Sequence, residues 1–115
     1  MSGQTAATPT GVLAEAIRRA LGMVIDPELG ENVVDLGLIY DVAIADGGVA
    51  LIQMTTTTRG CPASGYLEEA VREAARAVPA VSRVEVFMTY EPKWTPDMMN
   101  DEARRNLGLT GRRRL

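Results

Sequence analysis

The sequence predicts an α/β protein: an α+β two-layer sandwich with the order α-β-β-α-β-α and a small mixed three-stranded sheet. Three observations carry this. Asp46-Gly47-Gly48 lies between two alternating apolar segments, a strong signal for a β-hairpin. A helix-period segment then separates the second of these strands from a third, and such a crossover makes strands two and three parallel. Finally, 115 residues with 46% hydrophobic and 23% charged side chains match one folded domain in size and composition. Aromatic residues are only 4%, so the core must be aliphatic.

Residues 1–9 are small and polar and are expected to be a disordered lead. Thr10 is placed to cap a helix over 11–22, in which Val12, Leu13, Ala16, Ile17, Ala20 and Leu21 recur at helical spacing and Gly22 is the stop. Asp26-Pro27-Glu28-Leu29-Gly30-Glu31-Asn32 reads as a loop, because Pro27 keeps Asp26 out of helical geometry. An irregular apolar stretch, 33–38, leads into strand one at 39–45, where Tyr40, Val42 and Ile44 alternate with Asp41 and Ala43. Strand two is expected over 49–56, with Ala50, Ile52 and Met54 on one face and Val49, Leu51 and Gln53 on the other.

Thr57 to Cys61 form a loop, and Pro62 suits the first turn of a helix over 62–78. Leu67, Ala70, Val71, Ala74 and Val78 form its buried stripe, with Glu68 and Arg72 paired at i,i+4 on the other face. Strand three is expected over 81–90, with Val84, Val86, Met88 and Tyr90 inward. After an extended loop, Thr95-Pro96-Asp97 supplies a cap, a proline and an acid to open a last helix ending near Leu107. The sheet's second face has no cover in this order. Val49, Leu51 and Phe87 fall on it, which predicts self-association as a homodimer.

Composition excludes much chemistry. There is no histidine and one cysteine, so neither a Ser-His-Asp or Cys-His centre nor a closed structural zinc site can be built from this chain. A single cysteine permits no internal disulfide, which fits a reducing, cytoplasmic setting. The net charge is −3, but residues 103–115 hold five arginines and no acid, leaving the remainder with 7 basic and 15 acidic side chains, a balance of −8. An acidic body argues against nucleic acid as a partner, and the basic tail, 109–115, is read as a solvated terminus. The first basic side chain is Arg18 and no apolar run approaches the roughly 18 residues of a membrane span, so neither a signal peptide nor a membrane segment is expected.

Three constellations can carry chemistry. Cys61 falls at or beside a helix N-terminus, which favours a thiolate; Arg59 would add positive charge, and Thr55 to Thr58 offer hydroxyls to the sulfur or to a ligand. The competing reading is a buried cysteine acting as a small hydrophobe, with the threonines capping the helix, and the residues alone leave both open. Asp26, Glu28, Glu31 and Asp35 place four acids within ten residues, able to bind a hard cation or transfer protons, although turn and cap formation explains Asp26 and Asp35 more simply. Trp94, the sole tryptophan, either lids a site or pins the last helix to the body. No phosphate-cradling glycine motif is present.

Four motifs then combine: Asp26-Pro27-Glu28; Val34-Asp35-Leu36-Gly37-Leu38-Ile39-Tyr40; Met54-Thr55-Thr56-Thr57 leading to Gly60-Cys61-Pro62; and Glu91-Pro92-Lys93-Trp94-Thr95-Pro96. In this order, across about residues 12–108, they resemble the metal–sulfur (iron–sulfur) cluster assembly factor family. That family includes bacterial SufT, the PaaD-like proteins and the small subunit of the eukaryotic cytosolic iron–sulfur targeting complex. The resemblance implies an iron–sulfur assembly-type domain over 10–108 and an accessory role in assembling clusters or transferring them to client apo-proteins. It implies that Cys61 is the functional thiol, with Asp26 and Glu28 as the family's acidic motif and Trp94 in its tryptophan motif. The chain ends in Gly111-Arg112-Arg113-Arg114-Leu115 where PaaD proteins carry a cysteine-rich tail, so general cluster maturation is expected over a phenylacetate role.

A cluster normally takes four protein ligands, mostly thiolates, and one chain offers one thiol. A labile cluster or iron shared between two Cys61 thiolates, or between Cys61 and a partner of the assembly machinery, is therefore expected, with no tightly bound cofactor. Asp26 or Glu28 can add a hard, labile oxygen ligand. Thr55, Thr57, Arg59, Asp35 and Trp94 complete the expected supporting site. The alternatives are a metal-free adaptor that binds clients through the Val49, Leu51 and Phe87 face or the Trp94 loop, and a thiol enzyme, which lacks a histidine base.

Overall fold

The structure, a computed structural model, describes residues 10–108. The expected disordered lead, 1–9, and the basic tail, 109–115, lie outside the described residues. The element order is α-β-β-α-β-α: α1 Thr10–Leu21, β1 Ile39–Ala45, β2 Val49–Met54, α2 Ser64–Arg76, β3 Arg83–Met88 and α3 Asp101–Asn106. The sheet order is β1-β2-β3, with β1 antiparallel and β3 parallel to β2. Both α1 and α2 pack on one face of this mixed sheet, α1 against β1 and α2 against β3, and they touch each other.

Helix α1 buries Leu13, Ile17 and Leu21, one residue per turn, and its end is closed by the Gly22 amide, 3.1 Å from the carbonyls of both Arg18 and Arg19. Thr10 lies within α1 and is not a cap before it. Val12 was expected on the buried stripe and is exposed. At 100° per residue it falls outside the narrow Leu13–Ile17–Leu21 line. Helix α2 starts at Ser64, two residues later than the proline suggested, and buries Leu67, Val71 and Ala75 at strict i,i+4 spacing. Ala70, Ala74 and Val78 are half-buried against the same core. Arg72 bridges Glu68 (3.2 Å) and Glu69 (2.8 Å) on the outer face, as the spacing predicts for Glu68.

The hairpin turn is where it was expected. Gly47 and Gly48 both take positive φ (82° and 79°) in the loop between the paired Ala45 and Val49, a conformation that glycine adopts without steric cost. A Cβ on Gly48 would lie 2.3 Å from the Ala80 carbonyl oxygen, because the connection from α2 to β3 docks here, with Ser82 donating from its amide to Gly48 O and from Oγ to Gly47 O. Strand β1 slips register between Ile39 and Asp41, so the simple alternation through Tyr40 does not hold. The slip turns Ile39 into the core opposite Met54 and sends Tyr40 toward the C-terminal segment, where its hydroxyl donates to Pro92 O at 2.7 Å. Strands β2 and β3 are each shorter than expected. Beyond Met54 the Thr55 amide bonds to Leu38 O and the Thr89 amide to Met54 O, so the chain leaves the ladder to tie in its flanking loops.

The expected single helix over 95–107 is two pieces: a 3₁₀ turn, Pro96–Met98, and α3. Met99 and Asn100 between them are extended because tertiary contacts outweigh helix continuation. Met99 is buried in the core, the Asn100 amide donates to Asp35 O (2.8 Å), and Asn100 Oδ1 caps α3 at the Ala103 amide (2.9 Å). The receiving surface is the Asp35-Leu36-Gly37 segment. Asp35 accepts from Asn32 Nδ2 (2.9 Å) and Asn100 Nδ2 (2.8 Å), and Trp94 Nε1 donates to Leu36 O (2.8 Å). Gly37 holds φ +77° with Met98 packed on it so closely that a Cβ would sit 2.3 Å from Met98 O. On the opposite sheet face the register places Ala43, Leu51 and Phe87 beside Asp41, Gln53, Arg83 and Glu85, and Phe87 is 48% exposed.

Two outcomes follow for this segment. Gly37→Ala combines a positive-φ penalty with a backbone clash and should cost about 2 kcal/mol or more in urea unfolding, well above an ordinary Gly→Ala change; a stability within 0.5 kcal/mol of the parent, roughly the surface-substitution range, would refute the close packing. Partial burial pushes the Tyr40 hydroxyl above its ordinary value of 10.0, with a side-chain hydrogen bond to Thr55 acting in the opposite direction. A raised folded value favours the neutral phenol, so its contribution is whole below pH 10 and is lost as pH climbs through the folded value. Alkaline unfolding should therefore contain a component that Tyr40→Phe removes, and identical alkaline profiles for the two proteins would contradict it.

Candidate functional site

The site is built from two loops far apart in sequence. The first is the turn at residues 26–31. Asp26 is 2% exposed, and its Oδ1 accepts from the amides of Glu28 (2.7 Å) and Leu29 (3.1 Å). Its own amide donates to Glu31 O and its carbonyl accepts from Gly30. An aspartate closing the turn on itself in this way fixes the loop with local bonds. The loop is pressed on the body by Val24 and Val33, which pair through the Val33 amide and Val24 O (2.9 Å) and are both buried. The carboxylate of Asp26 is thus spent on shape, and the turn presents Glu28, which is exposed.

The second loop follows β2. Cys61 Sγ lies 3.8 Å from Glu28 Oε1, across 33 positions of sequence, and the cysteine is 5% exposed. A thiol is a weak donor at this distance, so the contact is easily exchanged for a better one. Cys61 precedes α2 and does not sit in its first turn: its carbonyl accepts from the Ser64 amide (3.0 Å), and Ala63, with no side-chain oxygen, is the N-cap.

The threonines serve the loop more than the sulfur. Thr55 is fully buried and bonds to Thr56 O (3.3 Å); Thr56 Oγ1 donates to Thr58 O (2.7 Å) and lies 3.3 Å from the Tyr90 hydroxyl. Among the described residues Glu28 alone makes a polar side-chain contact with Sγ. The Arg59 guanidinium, expected to add charge at the thiol, instead stacks 4.6 Å above the Tyr90 ring. Thr57 and Arg59 line a separate cleft of about 310 Å³ with Thr56, Tyr90, Lys93 and Trp94.

Of the expected site residues, the structure therefore brings Cys61, Glu28 and, through its turn, Asp26 together. Thr57, Arg59 and Trp94 meet in the separate cleft, and Asp35 lies in the clasp that holds the C-terminal segment, to which Trp94 is also pinned through Leu36 O. Sequence reading missed Asn32, Asn100 and Tyr90. Asn100 had a usable signal, an asparagine directly before Asp101 and Glu102, which is the pattern of a capped helix start. No three His, Cys, Asp or Glu side chains converge among the described residues, so the donors at hand are one soft thiol and one hard carboxylate.

Residues 14–86 match the family model described as iron–sulfur cluster assembly protein, and the chain belongs to that family. It is 44% identical over 95 residues to an Fe–S protein maturation auxiliary factor of Porphyromonas gingivalis, covering 83% of this chain and 90% of that one. It is 41% identical over 88 residues to the Fe–S protein maturation auxiliary factor SufT of Staphylococcus aureus, covering 76% of this chain and all of the relative. The crystal structure of a DUF59 domain from Bacillus anthracis superposes with a TM-score of 0.83 at 35% identity, covering 88% of this chain and 96% of that chain.

The burial of Cys61 sets its reactivity. Iodoacetamide should modify the native thiol at least about tenfold more slowly than the urea-unfolded one. Asp26→Ala frees the Glu28 turn, so it should speed native alkylation and cost about 1 kcal/mol, the scale of a lost cap. Native alkylation as fast as in urea would show that the thiol is not held under the loop.

Proposed function

We propose that this protein is an accessory factor in iron–sulfur cluster biogenesis that helps assemble clusters or pass them to client apo-proteins, with Cys61 as the thiolate that touches the cargo. The observation that carries the reading is the contact of the chain's only thiol with Glu28, held there by a turn built on Asp26. Thiolate is the ligand iron–sulfur clusters prefer, and a carboxylate beside it binds iron weakly. One thiolate and one carboxylate are too few for a resident cluster. They suit cargo that must be released, completed by a second Cys61 or by thiols of the assembly machinery.

The working unit in this reading is a cytoplasmic homodimer without enzymatic activity, its residues 10–108 forming one assembly-type domain. Thr55 and Thr57 shape the loop that carries Cys61, while Asp35 and Trp94 act through the fold. Loading requires the Glu28 turn to move aside, since Cys61 is 5% exposed. That burial also favours the second reading, a metal-free adaptor in which the thiol only packs.

Anaerobic reconstitution with iron, sulfide and a thiol separates the two. Wild type should gain visible absorbance that co-elutes with protein on a sizing column at the dimer position, and Cys61→Ser should gain none while keeping its circular dichroism and thermal midpoint. Colourless protein in both samples would select the adaptor.

A further inference from the structure

We infer that the cleft between the threonine loop and the C-terminal segment is a second binding site, for a small organic anion with a carboxylate or phosphate headgroup on a planar apolar body. Its volume, about 310 Å³, lies at the small end of the ligand-pocket range. The lining sorts into used and unused groups. Thr56 Oγ1 is committed to Thr58 O and Tyr90, and the Trp94 ring nitrogen to Leu36 O, so these shape the walls. Arg59 and Lys93 have no carboxylate partner within ion-pair distance among the described residues, and the hydroxyls of Thr57 and Thr58 carry no hydrogen bond there. Glu91 is the one acid in the lining, against two cations.

The arrangement of Arg59 is the telling detail. Its Cζ lies over the Tyr90 ring, 4.6 Å from the centroid, a cation–π contact that holds the long side chain in place. Its N–H groups make no hydrogen bond or ion pair among the described residues, and a guanidinium with free N–H groups matches an oxyanion. Lys93 adds a second positive charge, while the Trp94 and Tyr90 rings give the apolar wall for the ligand's body. Cys61 does not line this cleft, so the site is independent of the cargo thiol.

Trp94 is the only tryptophan, which makes its fluorescence a direct reporter. The full chain would be titrated with benzoate and with phenyl phosphate at low ionic strength, using sodium chloride at matched ionic strength as the blank. A saturable change in Trp94 emission with either probe is expected, benzoate marking a carboxylate ligand and phenyl phosphate a phosphate ligand. Arg59→Gln and Lys93→Gln should each weaken it by about tenfold or more, as expected for loss of a charged hydrogen bond. Cys61→Ser should titrate like wild type. No saturable response to either probe up to about 10 mM, where only affinities weaker than millimolar escape detection, would overturn the proposal. A response that both charge variants retain in full would overturn it as well.

Discussion

The Asp35 carboxylate ties the loop before β1 to the segment that follows β3. One oxygen takes the Asn32 amide group and so closes the loop before β1; the other takes Asn100, 65 positions further on. The neighbouring backbone does the same work, with Leu36 O receiving Trp94 and Asp35 O receiving the Asn100 amide. Gly37 permits the approach, because only a residue without a Cβ leaves room for Met98 at that φ. The clasp acts with the buried Met99 and the Tyr40–Pro92 bond to hold the segment after β3, since α3 is six residues long and buries Ala103 alone. Trp94 and Lys93 ride on that segment, so the clasp also sets the far wall of the cleft beside the threonine loop.

The acidic residues near the thiol divide into two kinds. Asp26 is buried and its Oδ1 accepts from two amides of its own turn, whereas Glu28 is exposed and free to exchange a weak thiol contact for something stronger. A turn closed by its own hydrogen bonds that presents an exposed carboxylate beside a buried thiol fits the proposed transient metal handling.

Much of the fold could be read directly. The Asp46-Gly47-Gly48 turn, the parallel crossover and the Leu67–Val71 stripe all depend on local pattern, and local pattern is what a sequence displays. The misreadings arose where a distant contact decides. The last helix breaks at Met99 and Asn100 because Asp35 and the core claim them, and no feature of residues 95–107 announces that. Tyr40 leaves its expected face because β1 slips register. In the site, Cys61 and the acidic motif were legible as residue types, but their meeting across 33 positions was not. Arg59 was assigned to the thiol because it lies two residues away in the chain, yet an aromatic ring 31 positions later holds it instead. Asp35 and the Trp94 ring nitrogen serve the clasp, a contact across 58 to 65 positions that no local pattern displays, while the Trp94 ring also lines the cleft beside the threonine loop.

The central claim is that Cys61 handles cargo and that the rest of the molecule presents it. The most direct test is transfer: an apo-dehydratase that needs a [4Fe–4S] cluster would be incubated anaerobically with iron, sulfide and a thiol in the presence of this protein, and its regained activity followed with time. Wild-type protein should accelerate recovery, and folded Cys61→Ser should leave it at the rate seen without added protein. Equal acceleration by the two would contradict the account.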